Sequence, residues 1–317
     1  MARRRTDSGM VSLVIVVLLA LVGIGLIAYP SVSDLYYRHL AAGQTGAAAK
    51  AADDADRDAL AHELELCHEY NERLAESHVT ITDPFDPKAS KVTVDEYNER
   101  LDLAGNHVMA TVYVPSIDMA LPVYHGLDEK DLERGAGHME ATSLPVGGSG
   151  THSVIAGHTG LPNMRAFDRL VDVKKGDYVI LEVCGETLAY RVYDIEVVLP
   201  DETQSLTLQP GRDLVTLVTC TPYGINDHRL LVHAERCDVP SWWDADAAAQ
   251  TAQGGVDADV PTVAACSLVA LAVIVWAVVS AHRQRRRRAK ALDAAGTGSV
   301  TVVSSDQEGT KGRTRHV

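Results

Sequence analysis

Two stretches of the chain carry no charged residue. Residues 10–29 and 261–281 are apolar runs of about 20 residues each, the length at which a helix crosses the hydrocarbon core of a bilayer. Arg3, Arg4 and Arg5 precede the first run; Arg283 and the arginines at 285–288 follow the second. Basic flanks stay on the cytoplasmic side, so the pattern predicts two transmembrane helices, both termini inside and residues 31–260 outside. The competing readings are a cleaved signal peptide for the first run and a buried helix for the second. The first is long for a signal peptide's apolar region, and no small-x-small cleavage site follows it directly.

Between these runs the periodicity changes twice. Residues 47–77 lack Gly and Pro, and Leu60, Leu64, Cys67, His68 and Leu74 recur at helical spacing, which predicts an amphipathic helix. Asp83-Pro84-Phe85-Asp86-Pro87 then reads as a breaker-rich loop. From Ala110 onward short apolar and β-branched runs alternate with turn residues. They fall at 111–115, 121–124, 153–156, 178–183, 188–193, 213–220 and 228–235, with a hairpin predicted at Gly185-Glu186-Thr187. Short helices are expected at 128–134 and 163–171. This pattern predicts a mainly β sandwich or barrel. Residues 241–260, rich in Ala, Asp and Gly, read as a linker, and the polar tail after Ala289 as disordered.

Composition narrows the partners. The formal net charge is −14, and residues 31–260 alone hold 39 Asp plus Glu against 17 Lys plus Arg. That acidic balance argues against nucleic acid, and the arginine cluster beside an apolar run is a topology signal rather than a polynucleotide patch. Of the five cysteines, Cys266 lies in the second apolar run. No C-x-x-C pair exists, so zinc-ribbon and thioredoxin readings fail. Cys184 and Cys237 would pair only if their strands are neighbours, in a compartment that permits disulfides.

The candidate chemistry centres on Thr216-Leu217-Val218-Thr219-Cys220-Thr221-Pro222-Tyr223-Gly224, followed by Arg229-Leu230-Leu231-Val232. This places a thiol at the mouth of a strand and a permanent cation on the next strand. A thiol nucleophile needs activation, a proton donor for the leaving group, and a positive or N–H-rich site for the oxyanion. His158, in the Gly-flanked turn Gly157-His158-Thr159-Gly160, is the candidate acid and base. The bland reading makes Cys220 a buried apolar residue, His158 a surface group and Arg229 a solvated charge. His152, His228 and His233 are competing histidines. No ligand spacing supports a metal site, and no cofactor is implied.

Taken in order, these motifs resemble the sortases, the cysteine transpeptidases of Gram-positive cell surfaces, and in particular class C, the pilin-polymerising branch. The resemblance covers roughly residues 69–236. It is carried by Glu69-Tyr70-Asn71-Glu72-Arg73-Leu74, Leu121-Pro122-Val123-Tyr124-His125-Gly126, Gly135-Ala136-Gly137-His138-Met139-Glu140, Ser143-Leu144-Pro145-Val146-Gly147-Gly148, His158 and the Cys220–Arg229 block. It implies a sortase-like β-barrel at 110–238, preceded by a helical segment and lid loop at 31–109. A linker at 239–260 follows, with membrane helices at 10–30 and 261–281 and cytoplasmic ends at 1–9 and 282–317.

It further implies Cys220 as nucleophile, His158 as acid and base, and Arg229 as the oxyanion-stabilising cation. Asp83, Pro84 and Phe85 would form a lid, Asp83 pairing with Arg229 and Phe85 covering Cys220. The implied partners are the membrane and pilin subunits bearing Leu-Pro-x-Thr-Gly-like sorting signals, cut between Thr and Gly and joined to a lysine of the next subunit. A wall-anchoring sortase and a non-catalytic pilus assembly scaffold are the alternatives. The chain departs from the class C pattern at Ala141, Thr159, Asp227 and His233-Ala234. Asp227, two residues from Arg229, raises the question of which acid the arginine pairs with.

Overall fold

The computed structural model describes residues 8–77, 79–86, 95–161, 164–245, 247–248 and 259–296. The chain divides into two compact units, residues 26–260 and residues 1–25 with 261–317.

In the larger unit eight strands close into a barrel in the order β1-β2-β3-β4-β7-β8-β6-β5. They are β1 Val108–Val114, β2 Met119–His125, β3 Ala136–His138, β4 Thr151–Ala156, β5 Tyr178–Val183, β6 Glu186–Val198, β7 Asp213–Thr221 and β8 His228–Cys237. Most pairs are antiparallel; β2–β3 and β4–β7 are parallel. Val112, Leu121, Ile155, Leu181, Leu217 and Val232 fill the interior together with Phe167 and Leu170. Alternation then turns Val154, Ala156, Val218 and Leu231 to the opposite face. There they form a second apolar cluster, with Leu206, Val79, Ile81, Phe85 and Val198 packed on it. That outer cluster floors the site described below.

The predicted β5 run coincides with the observed strand. β3 was not foreseen: it has three residues, one of them Gly137, where a Cβ would meet the Gly126 carbonyl at 2.3 Å. β6 continues five residues past its predicted end, because a register shift between Val192 and Asp194 carries the pairing on through Asp194 and Glu196. Of the expected helix at 163–171, only a 3-10 turn at Asp168–Asp172 forms, and Asn163 lies outside the described residues. The helix at 128–134 is present as Glu129–Leu132.

The amphipathic segment also differs from expectation. Helix α1, Ser8–Asp54, continues without interruption through the first apolar run, and α2, Arg57–Ser77, begins after a break at Ala55 and Asp56. The Asp56 carboxylate accepts the Asp58 N–H at 3.1 Å, a local bond that favours a fresh helix start. α2 docks through buried Cys67, Tyr70 and Asn71. The Asn71 amide donates to the Leu144 carbonyl (3.1 Å) and its oxygen accepts the Leu144 N–H (2.7 Å). This reciprocal pair ties helix to barrel. A short helix, α3, Asp95–Glu99, brings Tyr97 into the core, where its hydroxyl accepts the Gly126 N–H at 2.9 Å and lies 3.0 Å from His138 Nδ1.

After β8, the Trp243 indole donates to Glu182 (3.2 Å) and packs edge-on against Tyr113, so ordered contacts extend into the segment read as linker. In the smaller unit, the N-terminal part of α1 is apolar and largely exposed. Among the described residues α1 is the one helix long and apolar enough to cross a membrane. The second apolar run lies in a helix, Asp259–Gly296, which also takes in the first residues of the tail read as disordered. Residues 297–317 lie outside the described residues.

Candidate active site

The register of β7 and β8 pairs Cys220 directly with Arg229. On the other side of β7, parallel pairing with β4 runs to Ala156–Val218, and the chain leaves β4 through Gly157 into His158. Two bonds fix that exit. The Gly157 N–H donates to the Val218 carbonyl (3.0 Å), and the buried Thr219 hydroxyl donates to the Gly157 carbonyl (2.7 Å). A Cβ at residue 157 would sit 2.9 Å from the buried Phe167 ring, so glycine is needed for this close passage. Beyond it, Phe167 N–H donates to the His158 carbonyl (3.0 Å), and Asp168 accepts the Gly160 N–H (2.7 Å) and the Thr159 hydroxyl (3.1 Å). Three consecutive strand ends thus carry an imidazole, a thiol and a guanidinium in that spatial order.

Asp83, Pro84 and Phe85 lie over this row. The Arg229 guanidinium donates from Nε and Nη2 to the two oxygens of Asp83, at 2.8 and 2.6 Å, a bidentate pair with both side chains about 90 % buried. Nη1 donates to the carbonyls of His228 (3.0 Å) and Asn226 (3.2 Å). Phe85 stacks on the His158 ring at 5.6 Å and lies under the Arg229 guanidinium at 5.2 Å. One aromatic ring therefore spans from the β4 exit to β8, across the end of the strand that bears Cys220. Upstream, Val79 and Ile81 join the outer apolar cluster, and the Thr203 hydroxyl donates to the Ile81 carbonyl at 3.0 Å. Pro87, at the end of the loop read from sequence, lies outside the described residues.

Electrostatics match a resting state. Burial pushes the Cys220 thiol above its usual value; Arg229 pulls it down and Asp83 pushes it up. Burial is the largest single influence on Arg229 and opposes its charge, but the hydrogen bonds to Asp83 together with the Cys220 and Asp83 charges hold its pKa above the ordinary value. Asp227 does not take the arginine. It accepts from His228 Nδ1 at 2.7 Å, and that bond keeps its carboxyl below the usual range.

The competing histidines are occupied elsewhere. His152 lies 2.7 Å from the Thr216 hydroxyl and 3.0 Å from the Thr207 carbonyl, and burial lowers its pKa to about 4. His233 bridges Thr216 (2.8 Å) and Glu196 (3.1 Å). Cys184 sits at the β5–β6 turn and Cys237 opposite Ala189, and both are free thiols. Among the described residues no group of three or more His, Cys, Asp or Glu is placed to hold a metal ion.

The sequence reading missed Glu129, whose Oε2 is 3.2 Å from His158 Nε2, and the supporting Thr219, Asp168 and Thr203. Glu129, Thr203 and Thr219 each act on a residue at least 29 positions away, and Thr219, though inside the cysteine motif, showed no sign there of its bond to Gly157.

A closed barrel with a thiol, a histidine and an arginine at three adjoining strand ends has the layout of a thiol acyl-transfer enzyme. Residues 112–237 match the family described as Sortase domain. The chain is similar to the crystal structure of sortase C-1 from Actinomyces oris, at 47 % identity and a TM-score of 0.54, covering 57 % of this chain and 99 % of that one. It is also similar to sortase C of Streptococcus pneumoniae, at 37 % identity and a TM-score of 0.58, covering 63 % and 98 %. Sortase A of Streptococcus agalactiae is 31 % identical over 132 residues, 40 % of this chain and 52 % of that protein. The chain thus spans about half the length of that relative. The chain belongs to the sortase family, a family of cysteine transpeptidases.

Proposed function

We propose that the chain is a lidded, pilin-polymerising transpeptidase with Cys220 as nucleophile, His158 as acid and base, and Arg229 as oxyanion-stabilising cation. The observation that carries this is the bidentate Asp83–Arg229 pair with Phe85 stacked on His158. A loop that occupies both the cation and the histidine holds the thiol in reserve until a sorting signal displaces it.

With the lid displaced, the Cys220 thiol gives its proton to His158 and the sulfur attacks the carbonyl carbon of the Thr–Gly bond of a Leu-Pro-x-Thr-Gly-like signal. Arg229, freed from Asp83, donates to the oxyanion. The tetrahedral adduct collapses with cleavage of the C–N bond, and His158 gives its proton to the departing glycine amine. The Cys220 thioester remains. A lysine amine of the next pilin subunit then attacks, His158 takes its proton, and the thiolate leaves. In this reading both apolar helices span the membrane, both termini are cytoplasmic and the barrel faces outward.

The test is to incubate the protein with a sorting-signal peptide and follow mass. A thioacyl adduct on Cys220, absent in Cys220→Ala and released by a lysine-bearing acceptor, is the expected result. An adduct on another cysteine, or turnover by Cys220→Ala, overturns the assignment. Release by a peptidoglycan-type amine in preference to the pilin lysine moves the reading to wall anchoring.

A further inference from the structure

His158 is held from two sides by groups of different permanence. Phe85 covers its ring and belongs to the lid. Glu129, whose carboxylate is 3.2 Å from Nε2, is the first residue of the short helix Glu129–Leu132, in the connection between β2 and β3 on the barrel body. Displacing the lid removes Phe85 and Asp83 and leaves Glu129 in place. Arg229 then loses the carboxylate that neutralised it, and the formal charge summed over Arg229, Asp83 and Glu129 rises by one.

The other acids on this rim are engaged. Asp131 pairs with Arg134, Asp227 with His228, and Asp128 lies 3.7 Å from Lys130. Glu129, 70 % exposed at the side chain, faces His158.

The acceptor in the proposed reaction is a lysine, which arrives as an ammonium ion. An amine within hydrogen-bond reach of His158 Nε2, about 3 Å, stands no more than about 6 Å from the Glu129 carboxylate, given the 3.2 Å contact. We infer that Glu129 is a specificity-determining residue: it draws the acceptor ammonium to the histidine and favours a charged amine over neutral nucleophiles. This rests on the function proposed above and deepens its second half-reaction. The ammonium gives one proton to solvent. The neutral amine attacks the thioester carbon, its excess proton passes to His158, the C–S bond breaks, and the thiolate recovers that proton from His158.

The full chain in detergent micelles is acylated with sorting-signal peptide and resolved by an equimolar mixture of Nα-acetyl-lysine amide and hydroxylamine, which is uncharged at neutral pH. The ratio of the two products is read by mass, so differences in acylation cancel. Glu129→Gln is expected to lower the lysine-to-hydroxylamine ratio about three- to fivefold, the scale of one partly exposed charge pair. In the wild type that ratio falls as salt rises; in Glu129→Gln it is flat, and Glu129→Asp retains the salt slope. An unchanged ratio and slope in Glu129→Gln overturns the inference. Absence of any thioester in the wild type overturns the function it rests on, and is seen before the partition is measured.

Discussion

Arg229 and Asp83 face each other through two parallel hydrogen bonds, 2.8 and 2.6 Å long, across 146 residues of sequence. The pair is largely buried, so its two halves depend on each other: removing one leaves the other charge desolvated. Asp83→Ala with Phe85→Ala therefore opens the loop rather than trimming it. The double variant is expected to label at Cys220 with a bulky maleimide several-fold faster than wild type, and to hydrolyse model peptide faster. Pseudo-first-order labelling rates at matched circular dichroism measure this. Equal rates would mean that 83–85 is a connector and not a lid.

The same pair sets a pH dependence. Burial and the Asp83 charge both disfavour the Cys220 thiolate, while Arg229 favours it. Removing Asp83 takes away one raising influence and frees Arg229 to act. The midpoint of iodoacetamide alkylation against pH is expected to move to lower pH in Asp83→Ala. A midpoint that stays or rises would contradict this account of the site's electrostatics.

His158→Ala and Arg229→Ala are each expected to lower transpeptidation by about two orders of magnitude, the usual cost of a general acid or an oxyanion donor. Arg229→Lys recovers little, because an ammonium cannot reproduce the planar fork that binds through two nitrogens. Steady-state kcat/KM with a fluorogenic sorting peptide decides the matter. Near wild-type turnover by Arg229→Ala would remove the arginine from the chemistry.

Acid should loosen the barrel through two histidines far from the thiol. Burial lowers His138 and His152 to about 4 each. An unfolded imidazole takes its proton near pH 6.5, the folded one only near 4, so between those values the unfolded state binds more protons and stability falls as pH falls. The loss approaches the order of 3 kcal/mol per histidine once pH falls below about 4, the folded value. Urea unfolding at pH 7 and pH 4.5 tests the sign, and His138→Gln is expected to show a shallower pH dependence than wild type.

Topology is checked on protoplasts. External protease should digest the 31–260 region and spare tags at both ends. A C-terminal tag cut from outside would show that the second apolar helix does not span.

Where the fold was legible, the signal was local. Tyr178–Val183 is a β-rich run with turn residues close on each side, and the strand matches it. β3 escaped because a three-residue strand containing glycine has no periodicity to read. The helix break at Ala55–Asp56 escaped because Asp56, which opens α2 by accepting the Asp58 N–H, is one of four aspartates within six residues of an otherwise helix-favouring run. The site divides in the same way. Cys220, His158 and Arg229 sit in motifs and come together at adjoining strand ends. Glu129 reaches His158 across 29 positions and Thr219 reaches Gly157 across 62, and each such contact exists only once the barrel closes.

The alternation of β7 gives its length a chemical meaning. Thr219 shares the inward parity of Val215 and Leu217 and locates the histidine turn; Cys220 shares the outward parity of Val218. Deleting one residue between Leu214 and Val218 would exchange the two positions, burying the thiol and exposing the hydroxyl. Loops around this barrel can lengthen or shorten and keep the chemistry. The strand that ends in Cys220 has a parity, and a change in its length by one residue keeps the thiol outward only if a bulge of the kind seen in β6 absorbs it.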